Sequence, residues 1–246
     1  MRKKEEWIVG LHAVQHLIQT DFSRILTLFV DDERHDARVG QLINFAEEQS
    51  LSIQRVNRKT LDKLTDNATH QGVAARCKVA QAIQENWLYE TLQTVENPLI
   101  LILDGVQDPH NLGACLRSAD AAGVLAVIIP QDRAVGLTPT VRKIASGAAE
   151  TVPLVQVTNL ARCLRNLQEH GVQLVGLAGE AQKSLYETNL RGKMALILGA
   201  EEKGLRRLTR EHCDLLVKIP MLGKVESLNV SVAAGICLFE AVRQRI

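Results

Sequence analysis

The stretch LILILDGVQDPHNLGACLR, residues 99–117, carries the reading of the fold. Its first five residues, Leu99 to Leu103, are apolar without a break and stop at Asp104-Gly105, the pattern of a strand buried on both faces of a parallel sheet. Asp108-Pro109 supplies a turn, and Asn111 is a good N-cap for a helix that carries Leu112, Cys115, Leu116 and Ala119 inward. The same alternation continues downstream. Strands are predicted at Val124–Ile129 (stopped by Pro130), Val152–Val157, Val172–Leu177, Ala195–Leu198 and Leu215–Ile219, and helices at Val141–Ala148 and Leu160–His170, the latter closed by Gly171. This is a doubly wound α/β domain, whose ligands usually sit beyond the carboxyl ends of the strands.

Upstream the composition changes. All six prolines and thirteen of the sixteen glycines fall after Asn97, which marks a boundary. Before it, strands are predicted at Trp7–Val9, Ile25–Val30, Leu51–Val56 and Val73–Val79, with helices at His12–Gln19 and Val39–Gln49. The expected organisation is therefore a small α/β domain over 1–78, a linker over 79–97 that could end in a helix, and a larger α/β domain over 98–246.

A chain of 246 residues with 46% hydrophobic residues can bury a substantial core. Its formal net charge of +1 disfavours a protein that holds any nucleic acid by charge alone, while leaving room for a selective RNA partner met by a local basic patch. The five cysteines are odd in number and form no C-x-x-C, which speaks against a disulfide framework or a zinc site. Reduced thiols in the cytoplasm are the expected setting. MRKKEEWIVG lacks an apolar signal core and no apolar run reaches ~18 residues, so neither export nor membrane insertion is expected.

Three stretches carry chemistry. In the first, the opening turn of the Asn111 helix offers unpaired backbone N–H groups to an anion. Arg117, off the apolar stripe, either reaches a phosphate or ribose over that helix or sits on a solvated face. The second, Gly199-Ala200-Glu201-Glu202-Lys203-Gly204, has the G-x-x-x-x-G of a phosphate loop but Leu205-Arg206 where Lys-Ser/Thr is required, so a P-loop is rejected. No G-x-G-x-x-G follows a strand, which weakens a nicotinamide-cofactor reading. Glu201 can also simply favour the start of a helix over Leu205–His212. Arg206, Arg207 and Arg210 on that helix form either a basic patch suited to phosphates or a solvated charged face. The third stretch is SLNVSVAAGICLFE, 227–240, a polar head of Ser227, Asn229 and Ser231 on a helical body where Ala233, Ala234 and Gly235 permit close approach. Ser227 and Asn229 either serve a site or cap the last helix. His110 has no partner in fixed register and reads as a turn residue. His12, and His70 within HQG (70–72), either touch RNA or are structural.

Taken together, NLGACLR (111–117), LGAEEKG (198–204) and IPMLGKVESLNVSVAAG (219–235) resemble the three motifs of the SpoU/TrmH family of RNA ribose methyltransferases, in the SPOUT class. VGLHAV (9–14), HQG (70–72) and LDGVQDPHNLGACLRSADAAGV resemble more narrowly those bacterial members that methylate a guanosine 2′-hydroxyl in 23S ribosomal RNA. The match spans nearly the whole chain. The resemblance implies a deep trefoil knot in the larger domain, an L30e-like RNA-recognition module in the smaller one, and a homodimer. It implies S-adenosyl-L-methionine as methyl donor, with Gly199, Ile219 and Leu228 where the family contacts it and Met221 nearby. By the same carry-over Arg117 prepares the ribose hydroxyl, with Asn111, Glu201, Ser227 and Asn229 around it, and no metal is required. The expected partner is 23S ribosomal RNA or a large-subunit assembly intermediate. Methylation of transfer RNA, or RNA binding without catalysis in ribosome assembly, are the competing readings. Glu202 stands where the family usually has glycine.

Overall fold

In the computed structural model, which describes residues 5–78, 83–200 and 203–246, the chain divides into two units, Met1–Gln81 and Ala82–Ile246. The first contains β1 (Glu5–Val9), α1 (Leu11–Asp21), β2 (Ile25–Asp31), α2 (Ala37–Glu48), β3 (Ile53–Val56), α3 (Arg58–Leu64) and β4 (Val73–Lys78). Its sheet runs β1-β4-β2-β3, with β4 antiparallel to both neighbours and β3 parallel to β2. Because side chains alternate across a strand, Leu28 and Val30 pack against α1 and α2 while Phe29, between them, faces Leu61 of α3. The sequence reading did not find α3, whose short run offers only Leu61 and Leu64 as apolar residues. Its start was legible in Asn57, which caps it by accepting from the Thr60 N–H at 2.9 Å.

The second unit contains α4 (Glu85–Leu92), β5 (Leu99–Asp104), α5 (Pro109–Ala121), β6 (Ala126–Pro130), α6 (Pro139–Ala145), α7 (Ala148–Thr151), β7 (Leu154–Val157), α8 (Leu160–Glu169), β8 (Gln173–Leu177), β9 (Lys183–Ser184), β10 (Met194–Gly199), α9 (Arg207–His212), β11 (Leu215–Lys218) and α10 (Val230–Arg245). Its seven strands lie in the order β7-β6-β5-β10-β8-β11-β9, and every pairing is parallel. Helices cover both faces. Leu99, Leu101 and Leu103 of β5 enter the core shared with α5, α6 and α10, while Ile100 and Ile102 enter the one shared with α4 and α8. Each such side chain contributes about 1.5–3 kcal/mol of transfer free energy, which is why an unbroken apolar run is stable only here, at the centre of the sheet.

Three local features differ from the expectation. Pro109 opens α5, and the Asp108 carboxylate caps it by accepting from the His110 N–H at 3.0 Å, so Asn111 is not the cap but lies buried in the first turn. The predicted 141–148 helix is two helices, because Ser146 and Gly147 adopt φ of 52° and 100° and break the path between α6 and α7. The two-residue strand β9, too short to leave a period, forms the sheet edge. The helix expected late in the 79–97 stretch is α4, which buries Leu88 and Leu92 in the second unit's core.

Candidate active site

The carboxyl ends of β8, β10 and β11 surround a pocket of about 610 Å³. Gly199, Ile219, Met221 and Leu228, the four residues expected to contact the cofactor, all line it, as does Ser227. They arrive from two directions: Gly199 ends β10, and 219–228 is the connection from β11 to α10. Gly199 is demanded by packing. A Cβ there would meet the Gly204 carbonyl group and the Leu205 nitrogen at under 3.0 Å, because the chain returns on itself and the Gly204 N–H bonds the Ala200 carbonyl at 2.8 Å. The lining mixes apolar side chains with hydroxyl and cationic groups, among them Lys218 and Lys224, and its volume suits a ligand of nucleoside size.

The first and third motifs meet beside this pocket. Asn229 is the N-cap of α10, its Oδ1 accepting from the Ser231 N–H at 3.0 Å, and its Nδ2 donates to Oδ1 of buried Asn111 at 2.9 Å. Asn229 therefore caps the helix and also ties α10 to α5. Farther along the same pair of helices, Gly235 lies so close to α5 that a Cβ would sit 3.7 Å from the Ser118 Oγ. Arg117, next to Ser118, is exposed, does not line the pocket, and makes no hydrogen bond or ion pair with the described residues. Glu201 and Glu202 lie outside the described residues.

The three arginines of the expected basic patch each meet a carboxylate. Arg206 bonds Asp104 through its backbone N–H and its guanidinium, Arg207 pairs with Glu211, and Arg210 pairs with Glu180. The last two pairs are exposed, so their mutual attraction is small and a phosphate can replace either carboxylate. His12 is exposed on α1. His70 is removed from the expected RNA contacts: it is 3% exposed, its Nδ1 accepts from the Gly72 N–H at 2.9 Å and its Nε2 faces Asp62 at 3.0 Å. The accepting Nδ1 places the ring proton on Nε2, so the imidazole staples the 70–72 turn to α3.

Sequence reasoning missed Asp104, whose only signal was an acid closing a fully apolar strand, and the pocket cations Lys218 and Lys224. Cys163, Cys213 and Cys237 are not poised as nucleophiles, since burial pushes the Cys163 and Cys213 thiols up to about 12 and raises Cys237 as well. Among the described residues no cluster of His, Cys, Asp or Glu suits a metal ion, and no helix is long and apolar enough to cross a membrane.

The SpoU rRNA Methylase family profile matches residues 98–239, the whole of the sheet and pocket. The chain belongs to the SpoU rRNA methylase family. A second profile, RNA 2′-O ribose methyltransferase substrate binding, matches 7–82, so the first unit carries the accessory module found with SpoU methylases. Among curated SpoU relatives, the 23S rRNA (guanosine-2′-O-)-methyltransferase RlmB of Photorhabdus laumondii is 57% identical, covering 98% of each chain. RlmB of Escherichia coli K12 is 56% identical over 98% of this chain and 99% of its own. In solved structures, the fold matches the SpoU methyltransferase AviRb from Streptomyces viridochromogenes in complex with AdoMet, with a TM-score of 0.79 at 24% identity over 98% of this chain and 90% of that one.

Proposed function

We infer that this SpoU family member transfers a methyl group from S-adenosylmethionine to the 2′-hydroxyl of a guanosine in 23S ribosomal RNA. The observation that carries the reading is the convergence of Gly199, Ile219, Met221 and Leu228 on one pocket whose rim continues through Ser227 to the Asn229–Asn111 bond. The residues present fit the cofactor: apolar side chains for the base, glycine backbone at close range, and two lysines for its carboxylate. Bound there, S-adenosylmethionine supplies an electrophilic methyl on a sulfonium. The protein's own contribution is then to bring the alcohol into line and exclude water, which can provide much of the rate.

Arg117 is assigned the alcohol. A guanidinium with a pKa above ~12 is a poor proton acceptor, so its role is to orient the hydroxyl and stabilise developing alkoxide charge. Asn111 and Asn229 fix the start of α5 relative to α10 and so set where Arg117 projects, while Ser227 and Glu201 complete the polar side of the site. Arg207, Arg210 and His12 are assigned to the RNA backbone, and the 1–78 domain to RNA recognition.

The protein acts as a homodimer. Val232 and Phe239, 51% and 49% exposed, and half-buried Ile236 form an apolar stripe on α10 beside the α5 surface that carries Arg117. A twofold copy covers that stripe and brings a second Arg117 to the shared boundary. The trefoil knot belongs to the same reading. It is supported by β10 inserting between β5 and β8, and by the backbone crowding at Gly199. The cytoplasm is the compartment in which its RNA is found and in which five cysteines outside any disulfide persist.

Mass-spectrometric mapping of ribosomal RNA incubated with the protein and labelled S-adenosylmethionine tests the assignment. One labelled guanosine ribose in 23S RNA is expected. Label in transfer RNA instead moves the substrate, and a protein that binds RNA without label is not a methyltransferase.

A further inference from the structure

Asp104 closes β5 and is 1% exposed. An ionised carboxylate so deeply buried must be paired and hydrogen-bonded. Both of its oxygens are engaged by a single residue 102 positions away: Oδ2 accepts from the Arg206 backbone N–H at 3.0 Å, and Oδ1 accepts from the Arg206 guanidinium. Arg206 is also the N-cap position of α9, yet its side chain caps nothing. The guanidinium instead turns inward onto β5.

The place of this pair in the fold gives it a consequence. Asp104 lies in register with Gly199, the last residue of β10. From Gly199 the chain leaves the sheet, returns at Gly204, and reaches Arg206. Gly199, Ala200 and Gly204 all line the pocket. Gly199 is thus held by the β5–β10 ladder, and Gly204, which packs against it, is held two residues on by one buried carboxylate. Asp104 also precedes Gly105, whose φ of 90° turns the chain toward α5, the helix that carries Asn111 and Arg117.

We propose that Asp104 and Arg206 are positioning residues for the cofactor: their bond holds residues 204–206 against Gly199, at the distance from β11 and the 219–228 segment that S-adenosylmethionine binding requires. The proposal rests on the methyltransferase reading and reassigns Arg206 from an RNA contact to an internal one. It separates from a general stabilising ion pair because it predicts a defect in cofactor affinity that persists in folded protein.

The experiment is calorimetric titration of S-adenosylmethionine into native protein, Arg206→Lys, Arg206→Gln and the neutral double variant Asp104→Asn/Arg206→Gln, with RNA affinity measured alongside. Lysine keeps one charge-assisted bond and glutamine keeps none, so the dissociation constant is expected to rise about 3-fold in Arg206→Lys and at least 10-fold in Arg206→Gln, with RNA affinity within about 2-fold of native. If Arg206→Gln does not fold, the double variant, which leaves no buried charge, gives the reading and is expected to show the same 10-fold loss. Native affinity in folded Arg206→Gln or in the folded double variant overturns the proposal, as does an RNA defect without a cofactor defect. Native protein that binds no S-adenosylmethionine overturns the methyltransferase reading itself, a distinct result.

Discussion

Replacing Gly199 by alanine tests how closely the pocket is built. The added Cβ would fall within 3.0 Å of the Gly204 carbonyl group and the Leu205 nitrogen. These are backbone atoms, so no rotamer change relieves the overlap, and carbon atoms rest at about 3.5–4.0 Å. The loop must move outward by more than half an ångström. Overpacking of this kind costs about 1–3 kcal/mol, which in a unit of this size lowers the melting temperature by about 2–12 °C. Displacing one wall of the pocket should also weaken S-adenosylmethionine binding at least 10-fold, equivalent to about 1.4 kcal/mol. Gly223→Ala is the matched control, since it lies in the same pocket with nothing within 4 Å of its Cβ, and both readings should stay near native. Differential scanning calorimetry and isothermal titration on the two variants decide the matter. A Gly199→Ala protein with native melting temperature and native cofactor affinity would refute the packing argument.

Arg117→Ala should abolish methyl transfer while leaving S-adenosylmethionine affinity within a few-fold of native, because the side chain does not line the pocket; near-normal turnover in a methylation assay would remove Arg117 from the site. Phe239→Glu places a charge on the exposed stripe of α10 and should yield a monomer by light scattering, with turnover lost if the second copy completes the site. Arg243 and then Gln244 hold the Glu240 carboxyl down at about 2 from an ordinary 4.5. A depressed native pKa gives stability that is complete above 4.5 and disappears as pH falls toward 2. Glu240→Gln should therefore be less stable than native at pH 6 and converge with it in acid, as followed by chemical denaturation; an equal deficit at both pH values would show that the carboxylate's charge is not what matters.

Local signals sufficed for most elements because they report burial directly. Leu99 to Leu103 could only be a central parallel strand, and Gly171 stopped α8 as its φ of 77° requires. Illegible features depended on competition between near neighbours or on distant partners. Whether Asn111 or Asp108 capped α5 turned on Pro109 occupying the first helical position, and the break at Ser146 left no compositional mark. The insertion of β10 between β5 and β8 is a property of the folded chain that no window of sequence contains. The site followed the same division. The pocket residues stood in recognisable motifs, whereas Asp104, holding Arg206 across 102 residues, looked like an ordinary strand-ending acid, and the choice between an RNA-contacting and a structural His70 needed Asp62, eight residues away, to be seen beside it.

The last helix is moored at both ends. Asn229 fastens its first turn to Asn111, while at its far end Gln244 and Arg245 grip the main chain at Thr188, Leu190, Gly192 and Asn97. Such a helix cannot swing like a door. The connection between β11 and this helix lines the pocket and carries Leu222, which stands 99% in solvent. That stretch of pocket wall is thereby fastened, at Asn229, to a beam made fast at both ends.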